Sequence, residues 1–299
     1  TETVYGLGAD AANPEAVARI FTAKGRPAGH PLIVHLATPE LVADWAVLDS
    51  ERARCLHLLA DHFWPGPLTI IVPRSDRVAP AVVGDRPTVG LRVPDHPLAR
   101  RLLTAFGGGV AAPSANRFGR VSPTRAEHVV EDLDGLVDVV LDGGPTNVGV
   151  ESTIVELVGQ PTVLRPGAVS AAALAQALGE PVIEGSHGPA RAPGMLASHY
   201  SPAATVELVR SDELDRSLSR ASAHGDGAAK VGIVAPWPVD HQPSWLLGPD
   251  AVSYARGLYA TFRQADQVGV GRLLVVLPSD GPLSDAVIDR VTKAAAPRP

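Results

Sequence analysis

One cysteine, Cys55, occurs in 299 residues, which excludes an internal disulfide and any zinc site built on a cysteine cluster. A lone thiol fits a reducing compartment, and Cys55 reads as a packing residue. Basic charge is not in excess: the formal net charge is −6, so no global positive field draws the chain to nucleic acid. Aromatic residues are scarce as well, with four tryptophans and four tyrosines, few for stacking on bases. No apolar run approaches the roughly 20 residues that a membrane-spanning helix needs, and no charged-then-apolar leader opens the chain. These absences predict a cytoplasmic protein acting on a small molecule. A complete Walker motif and a Gly-x-Gly-x-x-Gly fingerprint are both missing, which disfavours the common nucleotide folds.

Hydrophobic residues make up 45% and charged residues 19%, the composition of a folded chain. Its length predicts one large and one smaller domain. Apolar runs at 32–34, 68–72, 89–93, 137–141 and 153–157 read as strands alternating with amphipathic helices, an α/β pattern. One helix is well marked: Asn13 caps it, Pro14 suits its first turn, and Val17, Ile20 and Phe21 share a face. Thr124 and Glu127 have capping-box spacing ahead of a second helix. From Gly179 to Pro202 the periodicity gives way to Gly, Pro, Ser and His, the composition of an ordered linker. Strands at 205–209, 231–234 and 273–277 and helices at 214–221 and 254–265 then predict a small open α/β domain. The expected divisions are residues 1–178, 179–204 and 205–299.

Chemistry concentrates in a few segments. Lys24-Gly25-Arg26-Pro27 places two cations at a helix exit, a pair suited to a polyphosphate; the plain alternative is a solvated basic helix end. Ala111-Ala112-Pro113-Ser114-Ala115-Asn116 is a small-residue strand end where backbone, hydroxyl and amide groups converge. Taken alone, Ser-Ala-Asn reads as a turn and Ser122 as a helix cap. Asp142-Gly143-Gly144-Pro145, Glu151-Ser152-Thr153 and Leu164-Arg165-Pro166-Gly167 fall at successive strand ends, where open α/β sheets bind ligands. Trp64-Pro65-Gly66-Pro67 shapes a turn and packs the core.

Together these segments, with Thr1-Glu2-Thr3-Val4-Tyr5-Gly6-Leu7 and Phe63-Trp64-Pro65-Gly66-Pro67-Leu68-Thr69, resemble the YrdC-like threonylcarbamoyl-AMP synthase family. The resemblance covers nearly all of residues 1–178. The run from Pro193-Gly194-Met195 through Ser198-His199-Tyr200-Ser201-Pro202 resembles the two-domain branch. It implies a twisted mixed sheet with a concave ligand cleft, followed by a Rossmann-like C-terminal domain. Because the first motif opens the chain with no strand before it, a short N-terminal segment is expected ahead of Thr1.

The resemblance implies that ATP is contacted by Arg26, Thr88, Ser114, Ser122 and Arg165, with Lys24 and Asn116 completing a phosphate-facing set and Lys24 and Arg26 carrying catalysis. His30 is implied at an ATP-facing position, where it departs from a pattern in which many relatives have Asn. His199 and Tyr200 are implied as a lid over the nucleotide. Threonine is implied to meet Thr3, His35, Arg92, the backbone at Ala112, and Ser152, with Arg92 pairing the carboxylate. A satisfied strand-end histidine is the plainer reading of His35. The implied partners are ATP with Mg²⁺, L-threonine, bicarbonate, and a downstream tRNA threonylcarbamoyltransferase or tRNA itself. Two rivals are weighed beside this one: a carbamoyl-adenylate-forming maturation protein, whose paired zinc motifs one cysteine cannot supply, and an RNA-binding module.

Overall fold

The computed structural model describes residues 1–185, 192–195, 198–222 and 230–297, so part of the expected linker lies outside the described residues. The chain forms two compact units. The first comprises Thr1–Phe118, Pro123–Asn147 and Glu151–Met195; the second comprises Gly119–Ser122, Val148–Val150 and Leu196–Pro299.

The first unit runs β1 (Ala9–Asp10), α1 (Pro14–Lys24), β2 (Ile33–His35), α2 (Val42–Trp45), α3 (Ser50–Phe63), β3 (Leu68–Pro73), α4 (Pro80–Val83), β4 (Thr88–Arg92), α5 (Pro97–Phe106) and β5 (Val110–Ala111). It continues with α6 (Ala126–Leu133), β6 (Thr153–Glu156), β7 (Thr162–Arg165), α7 (Ala171–Leu178) and β8 (Ile183–Glu184). Its strands form an eight-stranded mixed sheet in the order β1-β5-β2-β4-β3-β6-β7-β8.

Side-chain alternation gives the two faces of this sheet different work. Val34, Leu68, Ile70, Val72, Val89, Leu91 and Val155 point into the main core, where they meet Leu56 and Leu59 of α3 and Val17 and Ile20 of α1. Each such side chain withdrawn from water contributes about 1.5–3 kcal/mol. The alternate positions, Ile33 and His35 on β2, Thr69 and Ile71 on β3, and Thr88, Gly90 and Arg92 on β4, therefore face the other way. A smaller apolar cluster of Ile33, Ile71, Ile154 and Leu164 lies on that side.

Local signals behave as read for α1: Asn13 Oδ1 accepts from the amides of Glu15 and Ala16, and Gly25 closes the helix in the left-handed conformation at φ 61°. Cys55 is buried in the core. Two expectations fail. Residues 137–141 form no strand. The capping box at Thr124 is not made either: Arg125 occupies the N-cap of α6 without a side-chain bond. The Thr124 amide donates instead to Nδ1 of the buried His128, at 3.2 Å, so an imidazole takes the place of the Glu127 carboxylate as its acceptor.

The second unit contains β9 (Thr205–Val209), α8 (Leu214–Ser222), β10 (Val231–Ala235), β11 (Ser244–Leu246), α9 (Ala251–Gln267), β12 (Arg272–Val276) and α10 (Ser284–Ala295). Its sheet has the order β11-β10-β12-β9, and each neighbouring pair is parallel. The continuous burial of β10 is what a parallel sheet covered on both faces requires.

Candidate functional site

In the first unit, parallel pairing of β2 with β4 sets His35 beside Arg92 at the strand ends. Antiparallel β3 then brings its start, Leu68-Thr69, to the same end of the sheet, and parallel β6 brings Ser152-Thr153 alongside. Four residues expected at threonine thus converge here: Thr3, His35, Arg92 and Ser152.

Arg92 is the centre of this end. Its Nε donates to the Gly66 carbonyl at 3.1 Å, Nη1 to Thr3 Oγ1 at 3.0 Å, and Nη2 to Glu2 Oε1 at 2.6 Å. The Trp64–Pro67 turn therefore both packs and positions: Trp64 is buried, its indole donates to the Leu68 carbonyl, and Gly66 aims the guanidinium. Glu2 is the functional residue that sequence reasoning passed over, because an acidic side chain at a motif edge reads as a solvated charge.

His35 is buried, and its Nδ1 has no hydrogen-bond partner. Burial, and then the adjacent Arg92 charge, push its pKa down to about 3. The imidazole is accordingly neutral at physiological pH, with Nδ1 open.

A second constellation stands on Ser152. Its hydroxyl lies 2.8 Å from Thr69 Oγ1 and accepts from Arg165 Nη2 at 3.0 Å, while Arg165 Nε donates to the Ser152 carbonyl. Arg165, expected at the nucleotide, is thus held beside Ser152; its Nη1 also reaches the Pro193 carbonyl at 3.2 Å. Gly167 makes this possible, because a Cβ there would come within 2.3 Å of the Thr153 nitrogen.

Part of the expected nucleotide set, around Lys24 and Arg26, lies elsewhere on the unit. Lys24 is only 2% exposed, and its Nζ donates to the carbonyls of Ser114, at 2.5 Å, and of Asn116. A solvated helix end is thereby excluded: the cation fastens the Pro113–Asn116 loop. Burial, and then Arg26, lower its pKa to about 7. Arg26 Nη2 donates to the Pro31 carbonyl at 3.1 Å, and its guanidinium lies 5.7 Å over the Phe118 ring. His30 stands edge-on to the same ring at 5.5 Å. Asn116 is buried, with Nδ2 donating to the Arg117 carbonyl, and the Ala112 amide donates to Ile33. Thr88 opens β4 and lines a groove with Pro31, Thr69, Gly90 and Ile154. Gly90 keeps that groove open; a Cβ there would stand 3.2 Å from the Thr69 methyl.

Ser122, His199 and Tyr200 belong to the second unit, which brings their segments together. The Ser201 amide donates to the Gly119 carbonyl, and Arg263 Nη2 donates to the Val121 carbonyl at 2.6 Å. Tyr200 is 1% exposed, stacked on Tyr259 at 5.8 Å and covered by the Arg290 guanidinium at 5.1 Å. Its φ of 61° turns the chain there.

The eight-stranded mixed sheet and its buried cations fit the YrdC-like class, and the family profile described as "Telomere recombination" matches residues 1–167. The profile described as "Threonylcarbamoyl-AMP synthase, C-terminal domain" matches residues 169–296. The chain belongs to the threonylcarbamoyl-AMP synthase family, in its two-domain form. It is 40% identical to the Pyrococcus abyssi threonylcarbamoyl-AMP synthase, across 100% of this chain and 89% of that one. It is 36% identical to the Bacillus subtilis enzyme of the same name, across 100% and 88%. Among solved structures, P. abyssi Sua5 complexed with L-threonine superposes with a TM-score of 0.91 at 39% identity, covering 99% of this chain and 88% of that one.

Proposed function

We propose that this enzyme condenses L-threonine, bicarbonate and ATP into threonylcarbamoyl-AMP, releasing pyrophosphate and water, and so supplies the donor for threonylcarbamoyladenosine in tRNA. The observation that carries the reading is the placement of Arg92, Thr3, His35 and Ser152 at one sheet end, in the same unit as the buried Lys24–Arg26 pair. An amino acid meets a carboxylate-binding fork and neutral polar groups; a triphosphate meets fixed cations.

In this mechanism the threonine amine captures carbon dioxide or bicarbonate as a carbamate, a carbamate oxygen attacks the α-phosphorus of ATP, and the bond to pyrophosphate breaks. Arg92 orients the threonine carboxylate, which has to share the guanidinium with Glu2. Neutral His35 offers its open Nδ1 to a substrate O–H or N–H. Lys24 and Arg26 balance charge at the phosphates, directly or by ordering the Ser114–Asn116 loop that receives them. No covalent enzyme intermediate is required.

Mg²⁺ is part of the proposal as a companion of the nucleotide, neutralising phosphate charge. Among the described residues no group of three or more His, Cys, Asp or Glu is arranged to hold a metal ion. The nucleotide-facing roles of Thr88, Ser114, Ser122 and Arg165, the lid role of His199 and Tyr200, and tRNA or its transferase as downstream partner rest on the family resemblance, while the division at 178 and 204 and a cytoplasmic site of action rest on the composition of the sequence. No helix among the described residues is long and apolar enough to cross a membrane.

The test is pyrophosphate release from ATP with bicarbonate, comparing L-threonine with L-serine, glycine and no amino acid, with mass detection of the adenylate. Threonine-dependent release abolished by Arg26→Ala supports the reading. Release that ignores threonine, or requires carbamoyl phosphate instead, overturns it.

A further inference from the structure

Thr69 has been given no role at the site, yet together with Arg165 it fixes what the Ser152 hydroxyl can do. Thr69 is fully buried, and Ser152 is 1% exposed. Their oxygens are 2.8 Å apart, and Ser152 is the only hydrogen-bond partner of the Thr69 hydroxyl among the described residues. Arg165 Nη2, which can only donate, occupies one acceptor position of Ser152 Oγ at 3.0 Å.

Proton counting then leaves one proton of the pair open. The two hydroxyls hold one proton each, and the bond between them uses one. Whichever hydroxyl donates, the proton of the other is left buried without a protein acceptor, and a bound ligand is what can take it. With Thr69 as donor, Ser152 accepts from both Arg165 and Thr69, and its own proton is the one left uncommitted. Ser152 precedes the strand end where Arg92 and His35 stand, so the open donor is the one an arriving substrate can meet.

We propose that Thr69 is a positioning residue that makes Ser152 an obligatory donor to a substrate oxygen, the carboxylate or carbamate of the amino acid. This rests on the threonylcarbamoyl-AMP synthase reading. The framework around the pair is built to keep it: Gly90 leaves room for the Thr69 methyl, and Thr153, the next residue after Ser152, is tied to Val169 through its side chain in both directions.

The experiment is a double-mutant cycle on the full chain, read as KM for threonine and for ATP in the pyrophosphate assay. Thr69→Val removes the donor and keeps the shape. It should raise the threonine KM about tenfold, the worth of one hydrogen bond, and leave the ATP KM unchanged. Thr69→Ser, which keeps the hydroxyl, should restore the wild-type value to within about threefold. In a Ser152→Ala background Thr69→Val should add nothing, since its effect passes through Ser152. Where Thr69→Val does not fold, Thr69→Ala repeats the comparison. Equal threonine KM for Thr69→Val and wild type, or the same factor in both backgrounds, overturns the proposal. Failure of the underlying reading looks different: wild type itself then releases no threonine-dependent pyrophosphate.

Discussion

The Glu2 carboxylate grips the Arg92 guanidinium at 2.6 Å, and both side chains are buried. Glu2 Oε2 has no hydrogen-bond partner among the described residues. Removing one member of a buried pair leaves the other charge unbalanced, at a cost of about 3–5 kcal/mol. Glu2→Gln should therefore lower stability by that order in urea unfolding. Burial raises the Glu2 pKa, but the Arg92 charge and hydrogen bond outweigh it and hold the carboxyl below its usual range. A depressed carboxylate contributes stability that is full above its unfolded pKa and is lost as pH falls through the folded one. The acid limb of stability against pH should flatten in Glu2→Gln; an unchanged limb and midpoint would remove the pair from any stabilising role.

Lys24 sets up a proton linkage with the nucleotide. Its pKa is lowered to about 7 by burial and then by Arg26, so above that value the free protein holds a largely neutral amine. Bound phosphates favour the ammonium form, hence binding takes up a proton. ATP affinity should weaken as pH rises from 7 to 9, by up to about tenfold per pH unit. Calorimetry in buffers of unlike ionisation enthalpy measures the uptake directly. Lys24→Met should abolish it; uptake that survives in this variant belongs to another group.

Motifs at strand ends were readable in the sequence because each is short and contiguous: Lys24-Gly25-Arg26, Pro113–Asn116 and Glu151–Thr153 all lie in well-defined local structure. The sites they enter were less readable, since contacts such as Glu2–Arg92, Gly66–Arg92 and Thr69–Ser152 join residues distant in the chain and depend on strand order. The lost strand at 137–141 shows the limit from the other direction. Apolar composition there marks packing, with Val137 and Val140 against Leu133 and Ala115, without any ladder of hydrogen bonds. The cap at Thr124 failed because His128, one helical turn on, reaches the same amide, and sequence spacing cannot rank two competing acceptors.

His35 should not titrate near neutrality. With a pKa pushed down to about 3 by burial and then Arg92, it stays neutral across the working range. A histidine depressed in this way contributes stability that is full above its ordinary pKa, about 6.5, and declines as pH falls from there toward 3. Nitrogen-15 imidazole shifts should therefore stay flat between pH 5 and 8, and a midpoint near 6.5 would contradict the buried, unpartnered geometry. His35→Ala should raise the threonine KM about tenfold, the loss of one hydrogen bond, while the ATP KM holds.

Gly167 supplies the sharpest contrast between backbone and side-chain control of the site. A Cβ at this position would fall 2.3 Å from the Thr153 nitrogen and 2.7 Å from the Ser152 carbonyl carbon, both backbone atoms that cannot rotate away. Gly167→Ala must displace the Ser152–Thr153 segment, and overpacking of this kind costs about 1–3 kcal/mol. Activity should fall much further than stability, by about a hundredfold, since Ser152 would move by a good part of an ångström from its place beside Arg165. Gly159→Ala is the matched control: nothing lies within 4 Å of its Cβ position, so stability should change by less than about 0.5 kcal/mol. Thermal unfolding and threonine-dependent pyrophosphate release, measured on both variants, separate the effects. Equal activity of the two would mean that Ser152 tolerates displacement, and would detach the Ser152 hydroxyl from substrate recognition.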